Sequence, residues 1–165
     1  MRVMLKDSPF TDAKAVLVTF SEVSAHHDDS GWSTVPFASA AGATVSTSSR
    51  TCDLKKLETA QDILGTGPLP AGHYTQLRLV VSSAKLYFDA ASEGAAACAP
   101  IIAAPSGRSA TVDIPSGEIK LNREFTLAQD GGASILVDFD GNRSIRDMGN
   151  GRYSMSPVIS IQSVN

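Results

Sequence analysis

The chain predicts an all-β fold: an antiparallel Greek-key β-sandwich with one short helix, occupying residues 1–165 as a single domain. Three observations predict it. Apolar and polar residues alternate with period two in segment after segment, as in "ILVDF" (135–139), which is the pattern of strands with one face on a core and one toward water. Gly, Pro, Asn and Asp break these runs at intervals too short for the crossover helices of a parallel sheet. Only one stretch carries leucines at helical spacing. A chain of 165 residues can bury roughly two thirds of its unfolded surface, so it can enclose one core between two layers.

The first strand is "VMLK" at 3–6, the second "AVLVTFSEV" at 15–23 and the third "ATVSTSS" at 43–49. The helix comes next. In "CDLKKLETAQDILG", Asp53 is placed to cap the N-terminus, Leu54 and Leu57 lie one helical turn apart, and Gly65 supplies the stop. "GPLPAGHY" is a turn, since Pro68 and Pro70 donate no ladder bond and Gly72 is free to take positive φ. It leads into "YTQLRLVVSSAKLYF", where Leu77, Leu79 and Val81 alternate against Tyr74, Gln76 and Arg78. The alanine-rich "DAASEGAAACAPIIAAPSG" that follows keeps no period and reads as a surface excursion. Strands resume with "ATVDI" at 110–114 and "EIKLNREFTL" at 118–127. "DGG" at 130–132 and "GNG" at 149–151 read as hairpin connections on either side of "ILVDF", and "YSMSPVISIQ" at 153–162 completes the set.

Composition narrows the function classes. Fourteen basic and seventeen acidic residues leave a formal net charge of −3 with no cationic stripe, which argues against nucleic acid as a partner. No run approaches the ~18 apolar residues of a membrane span, so no transmembrane segment is expected in this chain. The opening "MRVMLKDSP" reads as a strand rather than an export signal; if the protein is exported, its leader, with any lipid anchor it carries, is missing here. Charged residues at only 19%, with abundant Ala, Ser, Thr and Gly, point to an exported protein of the periplasm, outer membrane or cell surface. Cys52 and Cys98 are too few for a tetrahedral zinc set and form no CxxC pair, which leaves a structural disulfide competing with two buried thiols.

The order of motifs adds a resemblance. Asp7-Ser8-Pro9, Gly31-Trp32, Asp53-Leu54, "LPAGHYTQLRL" (69–79), "IPSGEIKL" (114–121), "DFDGNRSI" (138–145) and "YSMSPVI" (153–159) together resemble a bacterial and archaeal family catalogued as domain of unknown function 4382. The resemblance covers nearly the whole chain. It implies an exported domain, commonly behind a lipoprotein leader, with a β-sandwich of prealbumin-like or immunoglobulin-like type, and it carries no established activity. Ser8 stands where the family usually has alanine, and the long insertion around Cys98 departs from the family pattern, so Cys98 inherits no role.

Two polar concentrations stand out. In "DFDGN", Asp138 and Asp140 share a strand face, opposite Ile135, Val137 and Phe139. With Asn142 and Ser144 they are candidate oxygen ligands for calcium; the EF-hand template itself fails, because Arg143 and Gly149 fall where its glycine and glutamate belong. The alternative is a structural polar network of Asp7, Arg78, Lys120 and Asp138, in which a mid-strand cation such as Arg78 pairs with Asp138 and fixes register. "AHHDDSGW" is the second concentration. Adjacent His26 and His27 face opposite ways on a strand, so a zinc site with the distant His73 needs a coincidence of folding, and a solvated loop is the alternative. Trp32, with His26, is a candidate ligand contact as a sugar-stacking ring; its other reading is a cap on the core.

No G-x-S-x-G elbow or phosphate-binding loop is present, and no catalytic residue is nominated beyond a carboxylate pair of Asp138 and Glu118 whose separation sequence does not supply. The chain therefore reads as a non-enzymatic, exported binding or assembly module. It would meet an envelope or extracellular partner through loops 26–36 and 89–108 and need no cofactor. The competing expectation is a calcium- or zinc-dependent carbohydrate-binding domain or hydrolase using Asp138 and Asp140.

Overall fold

Alternation becomes strands almost wherever it is strict. The structure, a computed structural model, describes residues 1–8, 12–38 and 48–165. In chain order the described elements are β1 (Arg2–Ser8), β2 (Ala15–His27), β3 (Gly31–Thr34), β4 (Arg50–Asp53), α1 (Leu54–Leu57), β5 (Asp62–Thr66), β6 (Gly72–Tyr87), β7 (Cys98–Ala99), β8 (Ser109–Asp113), β9 (Glu118–Leu127), β10 (Ser134–Asp140), α2 (Gly141–Ser144), β11 (Ile145–Gly149), β12 (Arg152–Met155) and β13 (Ile159–Val164). They form two sheets. The smaller runs β13-β10-β1-β5; the larger runs β11-β12-β8-β6-β2-β4-β7, with β3 added beside β2 and β9 beside β6. The strand expected at 43–49 lies outside the described residues except for Ser48 and Ser49, which are not in a strand.

The two layers share one apolar core. Val3, Leu5, Ile135, Val137 and Phe139 face it from the small sheet, and Val16, Val18, Phe20, Leu77 and Leu79 from the large one, all inaccessible to water. Phe20 and Phe139 join the layers edge to face, with centroids 6.3 Å apart. Each such side chain contributes about 1.5–3 kcal/mol by leaving water.

Pairing is mixed rather than wholly antiparallel, since β1 runs parallel to β10 and β12 parallel to β8. Neither pair is joined by a short turn, so no hairpin imposes the antiparallel sense. The helix is shorter than expected. Asp53 does cap it, accepting from Lys55 N, but α1 ends at Leu57 once Leu54 and Leu57 are buried, and the chain re-enters a sheet as β5. Gly65 is therefore no helix stop; it sits against Pro36, whose carbonyl oxygen would lie 2.9 Å from a Cβ placed there. "DGG" joins β9 of one sheet to β10 of the other and is a crossover, whereas "GNG" is a hairpin between β11 and β12, with Gly149, Asn150 and Gly151 all at positive φ. "YSMSPVISIQ" is split at Pro157: Met155 ends β12 in the large sheet and Ile159 opens β13 in the small one.

Two long strands carry the large sheet. The 13 residues of β2 pair antiparallel with the 16 of β6, from Ala15↔Tyr87 to His27↔Tyr74, through several register shifts. A bulge between Tyr74 and Gln76 puts Tyr74 on the core side with Leu77, against strict alternation.

Candidate functional site

The outer face of β3-β2-β6-β9 gathers polar side chains in rows set by register. One row runs Trp32, His26, Gln76 and Asn122; the next holds Ser24, Arg78 and Lys120; a third holds Glu22, Val80 and Glu118. Gly31, at φ +79, turns the chain from β2 into β3 and delivers Trp32 opposite His26, their rings 5.0 Å apart and edge to face. The Arg78 guanidinium lies over the indole at 4.2 Å and Lys120 Nζ at 6.0 Å. Trp32 is thus half-buried on the outside of the sheet rather than a cap on the core.

Charges on this face are locally satisfied. Arg78 donates through Nε and Nη2 to Glu22 Oε1, at 3.0 and 2.5 Å, and through Nε to Ser24 Oγ at 3.1 Å. The Ser24 hydroxyl, with Arg78, holds the Glu22 carboxyl below its usual range. Lys120 pairs with Glu118 at 3.3 Å. Asp28 Oδ2 lies 2.6 Å from His73 Nδ1, and that bond raises the His73 pKa. Gln76 Nε2 donates to Asn122 Oδ1 at 2.8 Å, and His26 Nδ1 meets Thr75 Oγ1 at 3.2 Å. Thr75, Gln76, Asn122, Arg123 and Glu124 line an open cavity of about 630 Å³. His26 touches both the Trp32 ring and Thr75, and so joins the ring to the cavity.

His27 faces the other way. It packs edge to face on Tyr74 and lies 3.3 Å from Ala71 O, over Gly72, where any Cβ would meet its ring. The three histidines do not converge.

The "DFDGN" segment is built differently. Asp138 lies opposite Lys6 on the parallel neighbour β1, with Oδ2 3.6 Å from Lys6 Nζ and accepting from Gln162 at 3.4 Å. Its cation is Lys6 and not Arg78, which lies on the other sheet with Glu22. Asp140 Oδ1 accepts from Arg143 N and caps α2, on which Asn142 is exposed. Asp7 reaches the same joint, its Oδ1 accepting from Gly141 N at 3.0 Å, while its Oδ2 is buried without a partner among the described residues. Burial pushes the Asp7 carboxyl up to about 8, despite the Gly141 bond, and the negative Glu58, Asp138 and Asp140 add to the rise. Ser144, fully buried, donates to Asp140 O at 2.5 Å and accepts from Val158 N at 2.8 Å. The expected four-residue network is thus two separate clusters, Asp7 and Asp138 on the small sheet and Arg78 and Lys120 on the outer face of the large one. Among the described residues no group of three or more His, Cys, Asp or Glu side chains is placed to hold a metal ion.

The alanine-rich segment at 89–107 is tied down rather than loose. Cys52 and Cys98 lie directly opposite on β4 and β7 and are bonded as a disulfide. Asp53, buried, accepts from Val16 N, from Lys55 N and from Ser92 Oγ. Asp62 Oδ2 accepts from Cys98 N at 2.8 Å, and Arg50 donates to the carbonyls of Ala38 and Cys98. Lys56 Nζ donates to the carbonyls of Glu93 and Gly94.

Sequence reasoning singled out Trp32, His26, Arg78 and Lys120 but not their neighbours Glu22, Thr75 and Asn122. Outward alternation was a signal for Glu22 and Asn122; the bulge that brings Thr75 to His26 left none.

The segments that carried the family resemblance divide into joints and face. Asp7, Asp53, Gly117, Ser144 and Pro157 fix turns and crossovers, and a Cβ on Gly117 would lie 1.9 Å from Val81 O. Trp32, Gln76, Arg78 and Lys120, from three of those segments, meet on the outer face. No curated protein and no solved structure matches the chain. The family model described as Domain of unknown function (DUF4382) matches residues 1–157, and the chain belongs to that family.

Proposed function

We propose that the protein is a non-enzymatic, exported binding module that engages its partner through the Trp32 face. The observation that carries this reading is the contrast in hydrogen bonding. Polar groups at the joints are mostly bonded within the fold, Asp7 Oδ2 and Asp138 Oδ1 being buried exceptions without a partner among the described residues, whereas at the surface the Gln76–Asn122 pair uses one donor and one acceptor and has further capacity beside a half-exposed indole. Binding sites combine an aromatic surface with a few placed polar groups in this way. The Cys52–Cys98 disulfide supports export, since such bonds persist in oxidising compartments. No helix among the described residues is long and apolar enough to cross a membrane. In this reading a leader, with or without a lipid anchor, delivers the module to the periplasm, outer membrane or cell surface.

The test compares the wild-type chain with Trp32→Ala, immobilised over fractionated envelope polysaccharide and envelope protein. Retention by wild type and release by the variant is the expected result. Equal retention by both, or a hydrolytic activity lost on Asp138→Asn, overturns the proposal.

A further inference from the structure

We infer that the Trp32 face takes a neutral polyhydroxylated ligand, a glycan whose ring stacks on the indole while Thr75, Gln76 and Asn122 bind its hydroxyls in the adjoining cavity. This rests on the binding-module reading and names its ligand class.

Charge balance is the first argument. Arg78 is committed to Glu22, Lys120 to Glu118 and His73 to Asp28, with Glu124 4.0 Å from the other His73 nitrogen, which leaves Arg123 at the cavity as a single cation without an ion pair among the described residues. A polyanion would find no row of unpaired cations, and a polycation would find its carboxylates already engaged. The second argument is the scarcity of apolar surface. Apart from Trp32, Val80 is the one apolar residue in the three register rows, so the face lacks the central apolar cluster on which protein partners are usually anchored.

What the face does offer suits a sugar. One side of a pyranose presents C–H groups that lose water favourably against an aromatic ring, and its rim presents paired hydroxyls. Arg78, stacked on the indole at 4.2 Å and held by Glu22, fixes the ring across the sheet. The cavity, about 630 Å³, lies within the range of small-ligand sites and accommodates one or two sugar rings. Beyond their mutual bond the amides of Gln76 and Asn122 retain donor and acceptor capacity, and Thr75 adds a hydroxyl beside His26.

The experiment is a microarray of neutral gluco-, manno- and N-acetylglucosamine oligosaccharides probed with the full chain, followed by calorimetric titration of the best disaccharide and tetrasaccharide. Trp32→Ala, Gln76→Ala and Asn122→Ala are compared with Ile101→Ser, which lies at an exposed position on the tied segment. Thermal melting confirms that each variant is folded. Binding that changes little with salt, falls at least about tenfold in Trp32→Ala and about three- to tenfold in each amide variant, and persists in Ile101→Ser, supports the inference. Binding confined to sulfated or uronic glycans and lost at about 0.5 M salt overturns the neutral class and leaves the binding module standing. An array that returns nothing, with Trp32-dependent capture of an envelope protein, does the same. Glycan binding indifferent to Trp32 overturns both the inference and the choice of face.

Discussion

Strand β2 passes through two environments on one side of one sheet. Over Ala15–Phe20 both of its faces are covered: Val16, Val18 and Phe20 point to the small sheet, while Ala15 and Leu17 point outward and pack with Tyr87 beneath Ile102 of the tied segment. Over the rest of the strand Val23 and Ala25 still face the core, but Glu22, Ser24 and His26 turn outward to the open Trp32 face. The difference teaches how the chain uses polar groups. Where a segment without regular structure must cover a sheet, buried donors and acceptors such as Asp53, Asp62 and Arg50 are spent on holding it. Where none of the described residues covers the sheet, the polar groups pair at the surface and keep spare capacity.

Breaking the covered half carries the largest expected effect. Replacing both Cys52 and Cys98 with Ala opens a cross-link of sequence separation 46, worth about 4 kcal/mol in the chain-entropy model. Urea melts should show that loss, and limited proteolysis should cut first within 89–107. Asp53→Ala comes next, at about 3 kcal/mol, because it removes the α1 cap and leaves Val16 N buried without an acceptor. In both variants the Trp32 face should keep its ligand affinity at temperatures where the fold survives; an affinity that falls in step with stability would mean that the two halves are not separate.

The open face also contrasts in pH with the joint of the small sheet, because a carboxylate of each shifts in the opposite sense. Asp7, beside Glu58 at the end of α1, is raised from 3.8 to about 8, so between those values the unfolded chain has released a proton that the folded chain retains. Stability therefore falls as pH rises across that window, by about 3 kcal/mol between roughly pH 5 and 7. Asp7→Asn should flatten this slope when its melting curve is subtracted from wild type. Glu22 is lowered by Ser24 and Arg78, so its contribution is present at neutral pH and is lost as pH falls below the ordinary carboxylate range. Glu22→Gln should remove an acid-side loss and leave the alkaline side unchanged. Identical profiles for the two variants would contradict the assignment of each carboxylate to its environment.

How much of this was legible in the sequence follows the same division. Strands with one wet face were read well, and β9 has the bounds that its alternation predicts. Strands hidden on both sides were not: Arg50–Asp53 and Cys98–Ala99 are too short to show a period, and Asp62–Thr66 was absorbed into the helix because Leu54, Leu57 and Leu64 also fit a helical spacing. Partners were the least legible feature. Asp138 was assigned a cation from β6, yet the parallel insertion of β1 beside β10 brings Lys6 to it. Arg78 sits opposite Ser24 and meets Glu22 diagonally, a neighbour set by cross-strand register, which no local pattern reports. Trp32 and His26 were recognisable as neighbours, but whether the ring capped the core or lay outside depended on β3, which read as a loop.

The smallest effects belong on the open face, and they decide whether it is a binding surface or part of the scaffold. Gln76→Ala should change stability by less than about 0.5 kcal/mol, since among the described residues the side chain is paired only to Asn122 at the surface and its loss orphans no buried group. Trp32→Ala should cost about 1–2 kcal/mol, from the half-buried indole and the cation–π contact with Arg78, well short of Asp53→Ala. Chemical denaturation of the two variants beside wild type measures this directly. If Trp32→Ala were to destabilise as much as removal of the disulfide, the ring would be holding β3 on the sheet, and the open half would be scaffold like the covered one. A small cost fits a ring placed to meet something outside the molecule, because the fold then keeps it ordered through Arg78 and Glu22 without depending on it.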